Sequence, residues 1–175
     1  MAKRLSVYLA GPAVFRGDAD AHGASLKRLC IANGLEPLWP LDNKPKSSDT
    51  AALAREIRQM NCAMIERAGA VIADISPFRG PNMDPGTAFE IGYAIALKKP
   101  VFAYTDAHGE TLLDRTMAAF ELRKIGAKHF DADDMEVEDF GLHENLMIAT
   151  VTETVYGSFE EALDAFLKAN AGTFG

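Results

Sequence analysis

Apolar residues fall along this chain in short runs, and the spacing within them switches between strand-like and helix-like. LSVYLAG, from Leu5 to Gly11, is continuous and closes on Gly-Pro, the pattern of a buried strand entering a turn. Between Asp18 and Asn33, Ala24, Leu26, Leu29, Ile31 and Ala32 recur with helical spacing, and Asn33-Gly34 supplies a stop. LEPLWPL reads as a short extended segment broken by Pro37 and Pro40, LDNKPKSSD as a polar loop, and Thr50 to Arg67 as a long helix. AGAVIADI is the clearest strand and delivers Asp74 into a loop, SPFRGPNMDPG, that holds three prolines and two glycines. The next helix is expected to end at Lys98-Lys99, where cations suit a helix C-terminus. PVFAYT predicts another buried strand, Leu112 to Ile125 a helix, DADDMEVEDFG an acidic loop, and HENLMIATVTETVY a short helix and then a strand. Ser158 caps a last amphipathic helix, FEEALDAFLKAN, with Glu161 at the capping-box position.

Strands and helices thus alternate, which predicts a parallel sheet covered on both faces, in one domain spanning residues 1–175. Such sheets place their sites outside the carboxyl ends of the strands, here the loops after Ala10, Asp74 and Tyr104. With 48% hydrophobic and 25% charged residues, the composition is that of an ordinary globular protein. A formal net charge of -7 leaves no basic excess to displace counterions, so nucleic acid is not an expected partner. No apolar run reaches the roughly 18 residues of a membrane span, and the run in MAKRLSVYLAGP is too short for a signal peptide. The expected compartment is the cytoplasm. Cys30 and Cys62 sit among apolar neighbours and fit no zinc spacing, so both are expected to be buried free thiols.

One residue breaks the pattern. DPGTAFEIGYAIAL, from Asp84 to Leu97, opens with a capping aspartate and a proline suited to the first helical position, then turns apolar on almost every face. Glu90 lies in the middle of it, where an ionised carboxylate costs several kcal/mol unless paired or hydrogen-bonded. It is either a buried glutamate satisfied by a tyrosine or a backbone amide, or a nucleophile or base held ready for glycosyl transfer. Tyr8, whose strand ends beside this region, is either a core tyrosine or the partner of Glu90. Asp84 is a helix cap, a ligand contact, or both, and Asp74 either bonds loop amides or accepts from sugar hydroxyls. GPAVFRG and SPFRGPNMDPG match neither GxGxxG nor GxxxxGK[ST], although Arg16 and Arg79 are available to a phosphate. The four histidines, His22, His108, His129 and His143, show no metal or nucleophile spacing and are read as surface or loop residues.

VYLAGPAVF, AVIADISPFRGPNMDPGTAFEIGYAIALKKPV and FGLHENLMI together resemble the nucleoside 2-deoxyribosyltransferase family, over a span from Leu5 to about Leu167. The D-x-G-x-A-F-E-x-G segment from Asp84 to Gly92 is its most specific part. The resemblance implies a flavodoxin-like three-layer α/β sandwich with a mainly parallel five-stranded sheet. It implies transfer of 2-deoxyribose from a 2′-deoxynucleoside to a free purine or pyrimidine base, with no metal or organic cofactor. It further implies that Glu90 is the nucleophile, Tyr8 orients it and Asp84 binds sugar hydroxyls. Gly11, Phe15, Asn61, Asp74 and Arg79 are the expected substrate-binding positions. Asn145 and Met147 match a pair that reaches the neighbouring subunit's site, so a homo-oligomer built from dimers is implied. Many members carry an aspartate where this chain has Asn61, which can hydrogen-bond a base but cannot act as an acid. Two alternatives remain: a hydrolase of 2′-deoxynucleoside 5′-monophosphates, and a nucleoside- or nucleotide-binding module without turnover.

Overall fold

The computed structural model describes residues 4–152 and 154–171. Met1–Lys3 of the basic start, Glu153 within HENLMIATVTETVY and the last four positions of the chain lie outside the described residues. Five strands form the main sheet: β1 (Ser6–Ala10), β2 (Glu36–Leu38), β3 (Ala70–Asp74), β4 (Val101–Tyr104) and β8 (Val155–Tyr156). Their spatial order is β2-β1-β3-β4-β8, and every neighbouring pair is parallel. The helices between them are α1 (Ala19–Ala32), α2 (Thr50–Arg67), α3 (Pro85–Ala96), α4 (Leu112–Ala119), α5 (Leu146–Ala149) and α6 (Phe159–Ala169).

Period-2 alternation in the central strands divides the core into two layers. Val7 and Leu9 of β1, with Ala70 and Ile72 of β3, pack under α1 and α6 through Leu26, Cys30, Leu163 and Phe166. Tyr8 and Ala10, with Val71 and Ala73, face α2 and α3 through Ile65, Ile91 and Ala94. Helices therefore cover both faces, as the alternation predicted, and Tyr8 is delivered to the same layer as the helix that carries Glu90. Both cysteines are free and buried.

Three predicted boundaries move. The helix expected over Leu112 to Ile125 stops at Ala119, because Phe120 adopts extended geometry (φ -138, ψ 150). Arg123–Ile125 instead forms β5, which turns through Gly126 (φ 61) into β6 (Lys128–Phe130). The acidic segment expected to be loop supplies β7 (Glu136–Val137), so these three strands make a separate antiparallel sheet. Glycine at the first position of a two-residue connection is a strong hairpin signal, and it overrides the helical spacing upstream. Helix α3 ends at Ala96 because Lys98 turns left-handed (φ 57), and Lys99 Nζ donates to Ala68 O at the end of α2. Glu161 sits where a capping box needs it, yet its carboxylate accepts from the Gly157 amide rather than from Ser158. His22 and His129 are half-buried on α1 and β6 rather than in loops.

A buried ion pair links the loop before α3 to the segment before α5. Arg115 on α4 donates to Pro81 O (2.9 Å) and His143 O (2.6 Å), and Glu144 Oε2 lies 3.4 Å from its Nη2. Glu144, 2% exposed, also accepts from the Met83 and Asn145 amides. Removing one member strands the other charge without water. Arg115→Leu is expected to lose about 3–5 kcal/mol of unfolding free energy in urea titrations, and Glu144→Gln a comparable amount, because its single oxygen cannot accept from both the Met83 and Asn145 amides and Arg115 is left without a counter-charge.

Candidate functional site

The site is built at the α2–α3 side of the sheet. On α3, Gly86 and Glu90 are one turn apart and share a face; on α2, Ala54, Arg58, Asn61, Cys62 and Ile65 form the opposing stripe. With Ile57 and Phe89 they line a pocket of about 220 Å³. Tyr8, fully buried in the middle of β1, donates its hydroxyl to Glu90 Oε1 at 2.5 Å. This is the length of a strong bond to an ionised acceptor.

Burial dominates the electrostatics of Glu90. Desolvation pushes its carboxyl from 4.5 up to about 7; the Tyr8 hydroxyl and the Asn61 amide pull the other way, and the Asp84 charge adds to the rise. Tyr8 is itself pushed well above the usual phenol range, by burial first and by the Glu90 charge second, so it remains a donor. At neutral pH the pocket thus holds a carboxylate close to its midpoint, poorly hydrated and fixed by a neutral donor. Such a group can attack an electrophilic carbon or exchange a proton.

Asp84 does cap α3, accepting from Thr87 N (2.8 Å) and Thr87 Oγ1 (2.9 Å), both through Oδ2. Among the described residues, its Oδ1 takes no donor. Asp74 accepts from Ser76 N and Ser76 Oγ, and burial raises its carboxyl despite those bonds. Gly11 (φ 151) lies so close that a Cβ there would sit 2.7 Å from Asp74 Cβ, so only glycine lets the first loop pass the third strand. Phe15 and Asp74 line a second recess of about 270 Å³, together with Arg16, His22, Ser76 and Asp106. Phe15 stacks on Phe78 (5.4 Å between centroids), and the Arg79 guanidinium lies 4.5 Å over the Phe78 ring.

Glu90, Tyr8, Asn61 and Asp84 therefore converge, and Gly11, Phe15, Asp74 and Arg79 assemble around the adjoining loops. Asn145 and Met147 line neither recess. Asn145 caps α5, accepting from Met147 N (3.0 Å) and donating to Glu138 (2.8 Å), while Met147 is 70% exposed. Asn43 is a contact that the sequence did not disclose: it donates to Asn61 Oδ1 at 3.0 Å from a polar loop that has no periodicity to mark it. Among the described residues, no cluster of three or more His, Cys, Asp or Glu side chains could hold a metal ion, and no helix is long and apolar enough to cross a membrane.

A family model described as nucleoside 2-deoxyribosyltransferase matches residues 7–147. The fold resembles that of a 2-desoxiribosyltransferase from Leishmania mexicana at 34% identity and TM-score 0.75, covering 94% of this chain and 97% of that one. A conserved protein from Enterococcus faecalis shares the fold at 22% identity and TM-score 0.60, over 93% and 96% of the two chains. An uncharacterized protein of Schizosaccharomyces pombe is 36% identical over 103 residues, 57% of this chain and 49% of that protein, so the match spans about half of that relative's length.

The raised carboxyl of Glu90 sets a sign for stability. Between pH 4.5 and about 7 the folded chain holds a proton that the unfolded chain has released, so stability falls as pH rises through that window. Glu90→Gln keeps an acceptor for Tyr8 and carries no charge. It is expected to unfold at higher denaturant than the wild type at pH 8, by on the order of 2 kcal/mol, with the gap closing at pH 4.

Proposed function

The chain belongs to the nucleoside 2-deoxyribosyltransferase family, and within it we propose that this protein moves 2-deoxyribose from a 2′-deoxynucleoside to an acceptor purine or pyrimidine base through a covalent deoxyribosyl–Glu90 intermediate. The observation that carries this reading is the 2.5 Å bond from Tyr8 to a desolvated Glu90 at the wall of a base-sized pocket. Glu90 attacks the anomeric carbon as the carbon–nitrogen bond breaks, and the bonding electrons leave with the base, which takes up a proton. A nitrogen of the acceptor base then attacks the same carbon. The ester bond breaks, the carboxylate is restored, and the acceptor nitrogen releases its proton. Two inversions give net retention, as in retaining glycosidases.

Tyr8 orients the nucleophile, and the open Oδ1 of Asp84 accepts a sugar hydroxyl. Asn61 hydrogen-bonds the base; as an amide it supplies no proton, so the proton taken up by the leaving base comes from elsewhere. Gly11, Phe15, Asp74 and Arg79 complete the substrate surroundings. The reaction needs no metal or organic cofactor, since side chains supply both nucleophile and orientation. It fits a cytoplasmic protein that takes up nucleosides and free bases.

Incubation of a 2′-deoxynucleoside with and without a second base, followed by chromatography, tests the reading. Base exchange is expected. Release of free base at the same rate without an acceptor would point to the hydrolase instead. Glu90→Gln should lose several kcal/mol of barrier lowering, on the order of a thousandfold or more, and Tyr8→Phe about 1.5–3 kcal/mol. Equal losses in the two variants would give Tyr8 a more direct role.

Asn145 and Met147, absent from both recesses of their own chain, are proposed to complete a neighbouring subunit's site in a homo-oligomer. Mixing inactive Glu90→Ala with inactive Asn145→Ala is then expected to restore activity as subunits exchange. Continued inactivity after demonstrated exchange would refute shared sites.

A further inference from the structure

Glu90 accepts a hydrogen bond from Tyr8, and Asn61, its neighbour in the pocket, has its own support. Asn61 lines the pocket with Glu90 and lowers its pKa as a hydrogen-bonding neighbour. An amide presents an oxygen that accepts and an NH2 group that donates, and rotation exchanges them. Here the oxygen is occupied: Asn43 Nδ2 donates to Asn61 Oδ1 at 3.0 Å and lies 3.6 Å from Met64 Sδ. Asn43 is half-buried and follows the single helical turn Pro40–Asp42, with its backbone amide bonded back to Pro40 O (3.2 Å).

We propose that Asn43 is a positioning residue that locks the Asn61 amide with its NH2 group toward Glu90. The lock selects a protonation state. A free amide would follow its neighbour, turning its oxygen to accept from the protonated acid and its NH2 to serve the carboxylate. A locked amide can only donate, so it favours the ionised form, which is the nucleophile. The other groups that face Glu90 do not substitute for it. Tyr8 from β1 already donates to Oε1, Asp84 at the head of α3 repels the charge, and Arg58 and Cys62 of α2 line the pocket without a hydrogen bond to the carboxylate. The functional consequence rests on the proposed role of Glu90; the lock itself does not.

The test reads Glu90 directly. Its side-chain carboxyl is titrated by 13C NMR in protein labelled at glutamate, with the signal assigned by its absence in Glu90→Gln. Asn43→Ala is expected to raise the Glu90 midpoint by about half a pH unit or more, Asn61→Ala to raise it as well, and the double variant to rise no further than Asn61→Ala alone. An unchanged midpoint in folded Asn43→Ala, or the same added shift without Asn61, would overturn the proposal. Asn43→Asp provides a second arm, because an acceptor at residue 43 draws the Asn61 NH2 away from the pocket. The shift it causes should be larger with Asn61 present than in Asn61→Ala, where only the added charge acts; equal shifts would refute the lock. If the midpoint moves as expected while the acid limb of kcat/KM stays in place, the lock stands and the assignment of Glu90 as the reacting group falls.

Discussion

The hydrogen bond from Tyr8 to Glu90 joins an interior strand of the sheet, β1, to helix α3, and much of the architecture serves that junction. Without side-chain donors a carboxylate in this pocket would simply protonate, because burial is the largest influence on it. With water fully admitted it would be an ordinary exposed acid, well hydrated and unreactive. The balance here lies between these limits. It depends on Tyr8 projecting to the α2–α3 layer, and hence on the pairing register that sets Tyr8 opposite Val71. A one-residue slip of β1 would send Tyr8 to the opposite face.

The loops at the carboxyl ends of the strands are held as firmly as the strands. Gly11 passes Asp74 too closely for any side chain, Asp84 fixes the first turn of α3, and Arg115 with Glu144 ties the backbone at Pro81 and Met83 to that at His143 and Asn145. That ion pair is expensive to desolvate and is tolerable only because backbone carbonyls and amides take up its remaining bonds. It holds in mutual register the loop that leads to Asp84 and the turn that carries Asn145.

The sequence discloses most of this fold because hydrophobic periodicity is strong in the buried strands and in α1, α2 and α6. It discloses Glu90 because a lone carboxylate in an apolar helix is a local contradiction. It fails over residues 120–140, where the three-stranded sheet is polar and mostly exposed, so that turn chemistry at Gly126 outweighs any apolar pattern. Contacts between distant loops are also hidden. Neither the Asn43–Asn61 bond, across 18 residues, nor the Arg115–Glu144 pair, across 29, leaves a mark in local spacing. Asp74, by contrast, was legible only as two alternatives. Its bonds to Ser76 satisfy the first and leave the second compatible with the recess it lines.

Asn61 is where electrostatics and chemistry meet. A carboxylate at that position would join Glu90 in one poorly hydrated pocket that already feels the Asp84 charge, and like charges close together raise one another's pKa. It would also turn from a donor into a further repulsive acceptor for Glu90, driving the midpoint above about 7 and depleting the ionised form at neutral pH. The amide removes both effects and adds a donor. What it gives up is a proton source near the base. In the proposed reaction this chain therefore favours readiness of the nucleophile over assistance to the leaving group. That choice suits bases that depart readily, or that draw their proton from solvent, more than bases that need an acid beside them.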